Sequence, residues 1–158
     1  HDKNILIDNY EAKITDFGLA RNVNIETRIH SSLFGAISFL APELLKNNNN
    51  IRNLPHCVKT DIYSLGSLFW ELASGRQPFE DLLNSGSMDN VILCNRIING
   101  YREEIVPGIP EDYINLYSRC WDSDPNKRPD IESVYKNLED MIKSEIPQSG
   151  DPIIISHK

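Results

Sequence analysis

The chain has 158 residues, a formal net charge of −7 at pH 7 and 40% hydrophobic residues. This length suffices for one compact domain with a single core, and the acidic charge argues against a broad nucleic-acid-binding surface. No apolar run approaches the roughly 20 residues that a membrane-spanning helix needs, so we expect neither a membrane nor a nucleic acid as a partner.

Cysteine and histidine residues give no sign of a metal site or a disulfide framework. The three cysteines, Cys57, Cys94 and Cys120, are far apart and lack metal-ligand spacing. An odd number of scattered cysteines is typical of free thiols in a reducing compartment, so we expect a cytoplasmic protein. The four histidines are equally scattered, and none is assigned to a metal.

The first predicted element is a β-hairpin. Two short β-rich runs, Ile5-Leu6-Ile7 and Lys13-Ile14-Thr15, flank a polar, turn-forming centre at Asp8-Asn9. Such a hairpin would bring Asn4, before the first strand, to the same edge of a small sheet as Asp16, after the second strand.

Two short motifs follow at a characteristic spacing. Asp16-Phe17-Gly18 ends the second predicted strand, and Ala41-Pro42-Glu43 comes after residues 19–40. Together they resemble the activation segment of a eukaryotic protein kinase. The opening residues His1-Asp2-Lys3-Asn4 resemble the end of the catalytic loop, which reads H-R-D-L-x-x-x-N in that family. The resemblance implies that the catalytic Asp precedes His1, so that no catalytic base lies in the chain.

A long helix is predicted over residues 61–75, with Gly75 as its stop signal. Apolar residues recur at helical spacing on more than one face, which indicates a buried helix: Ile62, Leu65, Leu68, Phe69 and Leu72. In the kinase family this helix is the central pillar of the large lobe. The resemblance implies that Asp61 holds the catalytic-loop backbone, whereas Asp61 taken alone would be an ordinary N-cap.

A ten-residue segment beginning at Cys120 reads C-W-D-S-D-P-N-K-R-P. It resembles the C-W-x-x-D-P-x-x-R-P segment of tyrosine kinases and of the tyrosine-kinase-like Ser/Thr kinases. The resemblance implies that Arg128 pairs with Glu43 of the A-P-E motif. A guanidinium suits this role because its planar fork can hold a carboxylate with two hydrogen bonds.

Three further amphipathic helices are predicted, over residues 89–99, 111–121 and 130–142. Pro110 and Pro129 stand just before or at two of these starts, where the missing N–H costs nothing. One apolar stripe of the last helix is predicted to belong to the core and not to a partner site: Ile131, Val134, Leu138, Met141 and Ile142.

This order of elements resembles the large lobe of a protein kinase. The implied fold is mainly α, a helical bundle with a short β-hairpin at its N-terminal edge. Residues 1–146 would form part of a kinase domain, and residues 147–158 a flexible tail. Because the motifs that precede the catalytic-loop Asn are absent, we expect the sequence to be a fragment, a truncated gene model or a partial duplicate.

The resemblance also implies a site for ATP and Mg²⁺. Asn4 and Asp16 would supply amide and carboxylate oxygens to the metal, which prefers oxygen ligands, and Leu6 would lie under the adenine ring. The activation segment would include Phe17, Gly18, Ala41, Pro42 and Glu43, with Thr27, Ser31 and Ser32 as candidate phosphate acceptors.

Two departures from the family pattern bear on specificity. His1 stands where Ser/Thr kinases usually carry Lys, and Gly35-Ala36 replaces their Gly-Thr, so both departures count against Ser/Thr specificity. Residues 37–40 lack the Pro-rich, Trp-containing sequence that tyrosine kinases have before A-P-E. Ser/Thr phosphorylation in the tyrosine-kinase-like group is therefore favoured over tyrosine phosphorylation.

Two function hypotheses stay open. In the first, a complete domain transfers the γ-phosphate of ATP to a protein substrate, and this chain, without the small lobe and the catalytic Asp, is inactive alone. In the second, the chain is a pseudokinase-like module that binds proteins without catalysis. The retention of Asn4 and Asp16 favours the enzyme, whereas the missing upstream motifs favour the binding module.

Overall fold

The computed structural model describes residues 1–17, 37–46, 58–84 and 90–145. Within these ranges the chain forms two strands and six α-helices, in this order: β1 Ile5–Asp8, β2 Glu11–Ile14, α1 Pro42–Lys46, α2 Val58–Ser74, α3 Glu80–Asn84, α4 Asn90–Ile98, α5 Glu111–Cys120 and α6 Ile131–Glu145. Three single 3₁₀ turns lie at Asp2–Asn4, Ile37–Phe39 and Pro125–Lys127. The predicted fold class, mainly α with an N-terminal hairpin, is confirmed.

The hairpin is antiparallel, with Ile5 opposite Ile14 and Asp8 opposite Glu11. Its loop is Asn9–Tyr10, one residue later than the predicted centre, because Asp8 pairs within the ladder. Both loop residues have positive φ, 50° and 65°. This is the pattern of a two-residue type I′ turn, whose twist matches that of the flanking strands.

Helix α2 is the centre of the helical part and packs chiefly against α5. Gly66 allows the two helices to approach closely, since a Cβ there would lie 2.7 Å from Cys120 Cβ and 2.8 Å from Trp121 N. The helix begins at Val58, so Asp61 lies inside its first turn and is not its N-cap. Leu72 is 68% exposed, so the predicted burial was wrong for this residue.

The remaining predicted helices are present with shifted ends, and α3 was not predicted. Asp130 caps α6, because its carboxylate accepts a hydrogen bond from the Ser133 backbone N–H at 2.8 Å. The predicted stripe of α6 is only partly core: Val134 is buried, whereas Ile131 and Ile142 are 47% and 62% exposed. These two residues lie at the border of the stripe, and α6 packs mainly against the single helix α5.

Within the described part of the chain, no helix combines the length and apolar character needed to cross a bilayer. Several predictions fall outside the described residues: those on Gly18, Thr27, Ser31, Ser32, Gly35, Ala36, Cys57 and the tail from residue 147.

Candidate active site

The hairpin brings Asn4 and Asp16 to the same edge of the small sheet. The Thr15 N–H donates to the Asn4 carbonyl at 2.8 Å, which extends the ladder one residue beyond the Ile5–Ile14 pair. Asp16 therefore follows directly on the residue that pairs with Asn4. Asn4 is also the last residue of the 3₁₀ turn before β1, in which its N–H donates to the His1 carbonyl at 3.0 Å.

Asp16 has an uncommon backbone conformation, with φ at 58°. Residues other than glycine seldom adopt positive φ, although Asp and Asn tolerate it better than most. Such conformations cost roughly 1–3 kcal/mol and concentrate at functional sites. The Asp16 side chain is exposed, so its carboxylate is accessible to a ligand at the hairpin edge.

The hairpin edge carries the exposed Asp16 carboxylate and the Asn4 amide. Oxygen donors of these types fit Mg²⁺, a hard cation that takes oxygen ligands and keeps several of its waters. Among residues 1–17, 37–46, 58–84 and 90–145, no group of three or more His, Cys, Asp or Glu side chains could hold a metal ion. The Asn4–Asp16 edge thus fits a metal that brings further ligands, such as phosphate oxygens, with it.

Leu6 lies on β1 opposite Lys13, and 56% of its surface is exposed. The hairpin and the residues after it expose other large apolar side chains as well: Ile7, Tyr10, Ile14 and Phe17. Leu6 thus exposes apolar surface two residues after Asn4. A planar apolar ring could pack against such a surface.

An aromatic contact joins the hairpin edge to the segment before α1. The rings of His1 and Phe39 meet edge to face, with their centroids 6.1 Å apart. The Ile37–Phe39 turn therefore lies against the residues that lead into Asn4. The same turn is bonded to α2, because the Ser64 hydroxyl donates to the Phe39 carbonyl at 2.8 Å. Nothing in the sequence pattern indicated the contact between His1 and Phe39.

The A-P-E motif opens α1, where Ala41 and Pro42 are buried and Glu43 lies in the first turn. The Arg128 guanidinium donates to both Glu43 carboxylate oxygens, at 2.7 and 2.8 Å. It also donates to the Lys59 and Asp122 carbonyls, each at 2.8 Å. The pairing that the resemblance implies is present, and the buried guanidinium links α1, α2 and the segment before α6.

The electrostatics of this pair follow from its partial burial. Burial by itself raises the pKa of Glu43, but the hydrogen bond and positive charge of Arg128 outweigh it, so the pKa lies below the usual 4.5. The Arg128 side chain is fully buried, whereas a quarter of the Glu43 side chain is exposed. The carboxylate is therefore held in its charged form by a buried cation.

The ring of Tyr63 in α2 contacts two arginines that no sequence pattern had connected with it. The guanidinium carbons of Arg102 and Arg128 are each 5.1 Å from the centroid of its ring. Burial raises the Tyr63 pKa to about 12, against the lowering effect of the two cations. Arg102 also donates to the Trp121 carbonyl at 2.9 Å and to the Ser123 hydroxyl at 3.0 Å. The two arginines and Tyr63 thus hold the Cys120-to-Pro129 segment against α2.

Asp61 lies in the first turn of α2 with its side chain exposed. Its role as the anchor of the catalytic loop stays a prediction. Phe17 is 67% exposed, and the adjoining Gly18 is outside the described residues.

Comparison with known proteins places these features in one family. The family described as "Protein kinase domain" matches residues 1–138. A probable serine/threonine-protein kinase of Dictyostelium discoideum is 30% identical over 139 residues, covering 84% of this chain and 8% of that protein. A probable LIM domain-containing serine/threonine-protein kinase of the same organism is 30% identical over 142 residues, covering 89% and 20%.

Mitogen-activated protein kinase kinase kinase 7 of Homo sapiens is 28% identical over 141 residues, covering 89% of this chain and 21% of that protein. The chain thus spans about a fifth or less of the length of each of these three relatives.

Proposed function

The chain belongs to the protein kinase family, and we propose from this membership that it serves phosphoryl transfer as part of a complete kinase domain. The proposed reaction moves the γ-phosphate of ATP to Ser or Thr hydroxyls of a protein substrate. The observation that carries the proposal is the hydrogen bond from Thr15 to Asn4, which sets the two oxygen-bearing residues Asn4 and Asp16 at one edge.

Within the proposed site, Asn4 and Asp16 would hold Mg²⁺, and Leu6 would contact the adenine ring of ATP. The metal, when bound, neutralises negative charge on the phosphates. The chain's own contribution is to fix the two ligand positions, since catalysis of this reaction rests mainly on positioning and electrostatic stabilisation. The catalytic Asp and the small lobe are expected from sequence upstream of His1.

The Cys120-to-Pro129 segment supports membership of the tyrosine-kinase-like group or of the tyrosine kinases, because both carry its pattern. Ser/Thr specificity is favoured between the two, because the turn before α1 lacks the Pro and Trp residues of tyrosine kinases. The similar proteins from Dictyostelium discoideum carry serine/threonine-kinase names. We further propose a cytoplasmic location, because Cys94 and Cys120 are free thiols.

The test combines the coding sequence upstream of His1 with a transfer assay. We expect that sequence to encode R-D-L directly before His1, preceded by a strand Lys and a Gly-rich loop. The complete protein should then label Ser or Thr, and not Tyr, in a degenerate peptide library with γ-labelled ATP and Mg²⁺. An unrelated sequence upstream, or no transfer by the complete protein, would favour the pseudokinase-like binding module.

A further inference from the structure

The loop between α2 and α3 is held in a strained conformation. Phe79 has φ at 64° and is only 1% exposed. A bulky residue at positive φ is a genuine outlier that persists only where surrounding contacts enforce it. One contact that holds it is a hydrogen bond of 2.5 Å, which the Phe79 backbone N–H donates to the Glu103 carboxylate.

Glu103 comes from a distant part of the chain, the segment between α4 and α5, and only 10% of its side chain is exposed. Its second carboxylate oxygen lies 3.3 Å from the Arg76 guanidinium. Arg76 in turn binds Asp81 at 2.7 Å and lies over the Trp70 ring at 5.1 Å. One oxygen of the nearly buried Glu103 carboxylate therefore forms an ion pair with Arg76. The other oxygen accepts a hydrogen bond from the Phe79 backbone.

This loop is joined to the Ile37–Phe39 turn. The Ser38 hydroxyl donates to the Pro78 carbonyl at 2.9 Å, and both residues are buried. Pro78 directly precedes the residue that Glu103 holds. Two serine hydroxyls thus hold the turn in place: Ser38 of the turn donates to the loop, and Ser64 of α2 donates to the turn.

The turn also lies beside the proposed site of phosphoryl transfer, because Phe39 contacts His1 and the His1 carbonyl is bonded to Asn4. A substrate hydroxyl that reaches the Asn4–Asp16 edge must bring its flanking residues near this turn. We propose that Glu103 is a positioning residue for protein-substrate binding, acting through Phe79, Pro78 and Ser38 on the Ile37–Phe39 turn. The inference rests on the proposed kinase function.

The test is a steady-state analysis of the complete protein with a Ser/Thr peptide selected from a degenerate library by the wild type. The variants are Glu103→Ala, Ser38→Ala and the double variant, with Glu104→Ala as the matched control. Glu104 is exposed, and the 2.9 Å bond that its carbonyl accepts from Trp70 does not involve its side chain.

We expect Glu103→Ala and Ser38→Ala each to raise KM for the peptide about tenfold, the size typical of one lost buried hydrogen bond. KM for ATP should stay within about twofold of wild type, and the double variant should be no worse than either single variant, because both act through one connection. Glu104→Ala should resemble wild type.

Three results would overturn the inference: a peptide KM for Glu103→Ala equal to that of the control, multiplying effects in the double variant, or a parallel rise in KM for ATP.

If Glu103→Ala does not fold, Glu103→Gln replaces it in the same cycle, since the amide oxygen can still accept from Phe79 while the ion pair with Arg76 is lost. A smaller rise in peptide KM that is again non-additive with Ser38→Ala is then expected, and additivity contradicts the proposal. Failure of the wild type to transfer phosphate at all would instead contradict the proposed function.

Discussion

The guanidinium of Arg128 binds both carboxylate oxygens of Glu43, although the two residues are 85 positions apart in the chain. The contact joins the first turn of α1 to the segment that precedes α6. A guanidinium fork that meets a carboxylate in this way is among the strongest polar contacts in proteins. Because Arg128 is buried, removal of Glu43 would leave a charge without its counterion.

The first prediction concerns the stability of this pair. Arg128→Ala should lower the free energy of unfolding by about 3–5 kcal/mol, since breaking a buried pair leaves unsatisfied polar groups. Exchanging the two charges in a double variant should recover part of the loss. Lys143→Ala, which removes an exposed pair with Glu139, is the control and should cost about 0.5 kcal/mol or less. An unchanged Tm for Arg128→Ala would show that the pair does not stabilise the fold.

The second prediction concerns pH. The folded-state pKa of Glu43 is depressed below 4.5 by Arg128, so its ionised form stabilises the protein above that pH. The contribution is lost as the pH falls through the lower folded-state pKa. The stability difference between wild type and Glu43→Gln should therefore be full at pH 6–7 and shrink below about pH 4.5. Denaturant unfolding at several pH values measures it, and a difference that grows toward acid would contradict the assigned direction.

The third prediction concerns the approach of α2 to α5. Gly66→Ala would place a Cβ 2.7 Å from Cys120 Cβ and 2.8 Å from Trp121 N. Alanine normally favours a helix over glycine by about 1 kcal/mol, but overpacking costs roughly 1–3 kcal/mol or more. Because one of the contacted atoms belongs to the backbone, the steric cost should win and Tm should fall. A raised Tm would mean that α5 shifts freely to accept the methyl group.

The fourth prediction separates the ring of Tyr63 from its hydroxyl. The hydroxyl is buried without a hydrogen-bond partner among the described residues, so Tyr63→Phe should be neutral or stabilising by up to about 1 kcal/mol. Tyr63→Leu removes the ring that contacts two guanidinium groups and should cost about 2–4 kcal/mol. Equal Tm values for the two variants would contradict the contribution of the ring.

Local sequence signals predicted much of this fold. Strand-like runs around a polar centre indicated the hairpin, and helical spacing indicated α2, α4, α5 and α6. The Glu43–Arg128 pair was reached through motif resemblance, because no local pattern connects residues so far apart. Helix α3 was missed since five residues are too few to show a periodicity.

The features that the sequence did not predict depend on tertiary contacts between helices and loops. Ile131 and Ile142 fit the apolar stripe of α6, but periodicity does not tell where a packed face ends, and both are exposed. The bond between Glu103 and Phe79 joins irregular segments 24 positions apart. No propensity or spacing rule marks a carboxylate that holds a strained backbone, so such residues emerge only from the folded arrangement.

We propose that Asp16 and Asn4 together form the metal-binding edge of a kinase site. A sharp test is Mg²⁺-dependent phosphoryl transfer by the complete protein carrying Asp16→Asn, with Asp8→Asn as a control on the same hairpin. Asp8 is exposed, and its carboxylate forms an ion pair with Lys13. We predict that Asp16→Asn lowers kcat/KM at least about 100-fold with an unchanged Tm, while the control stays within about twofold of wild type. Residues 1–158 alone should transfer no phosphate. Wild-type rates in the Asp16→Asn protein would show that Asp16 does not bind the metal, and robust transfer by the purified 158-residue chain would show that no further catalytic residues are needed.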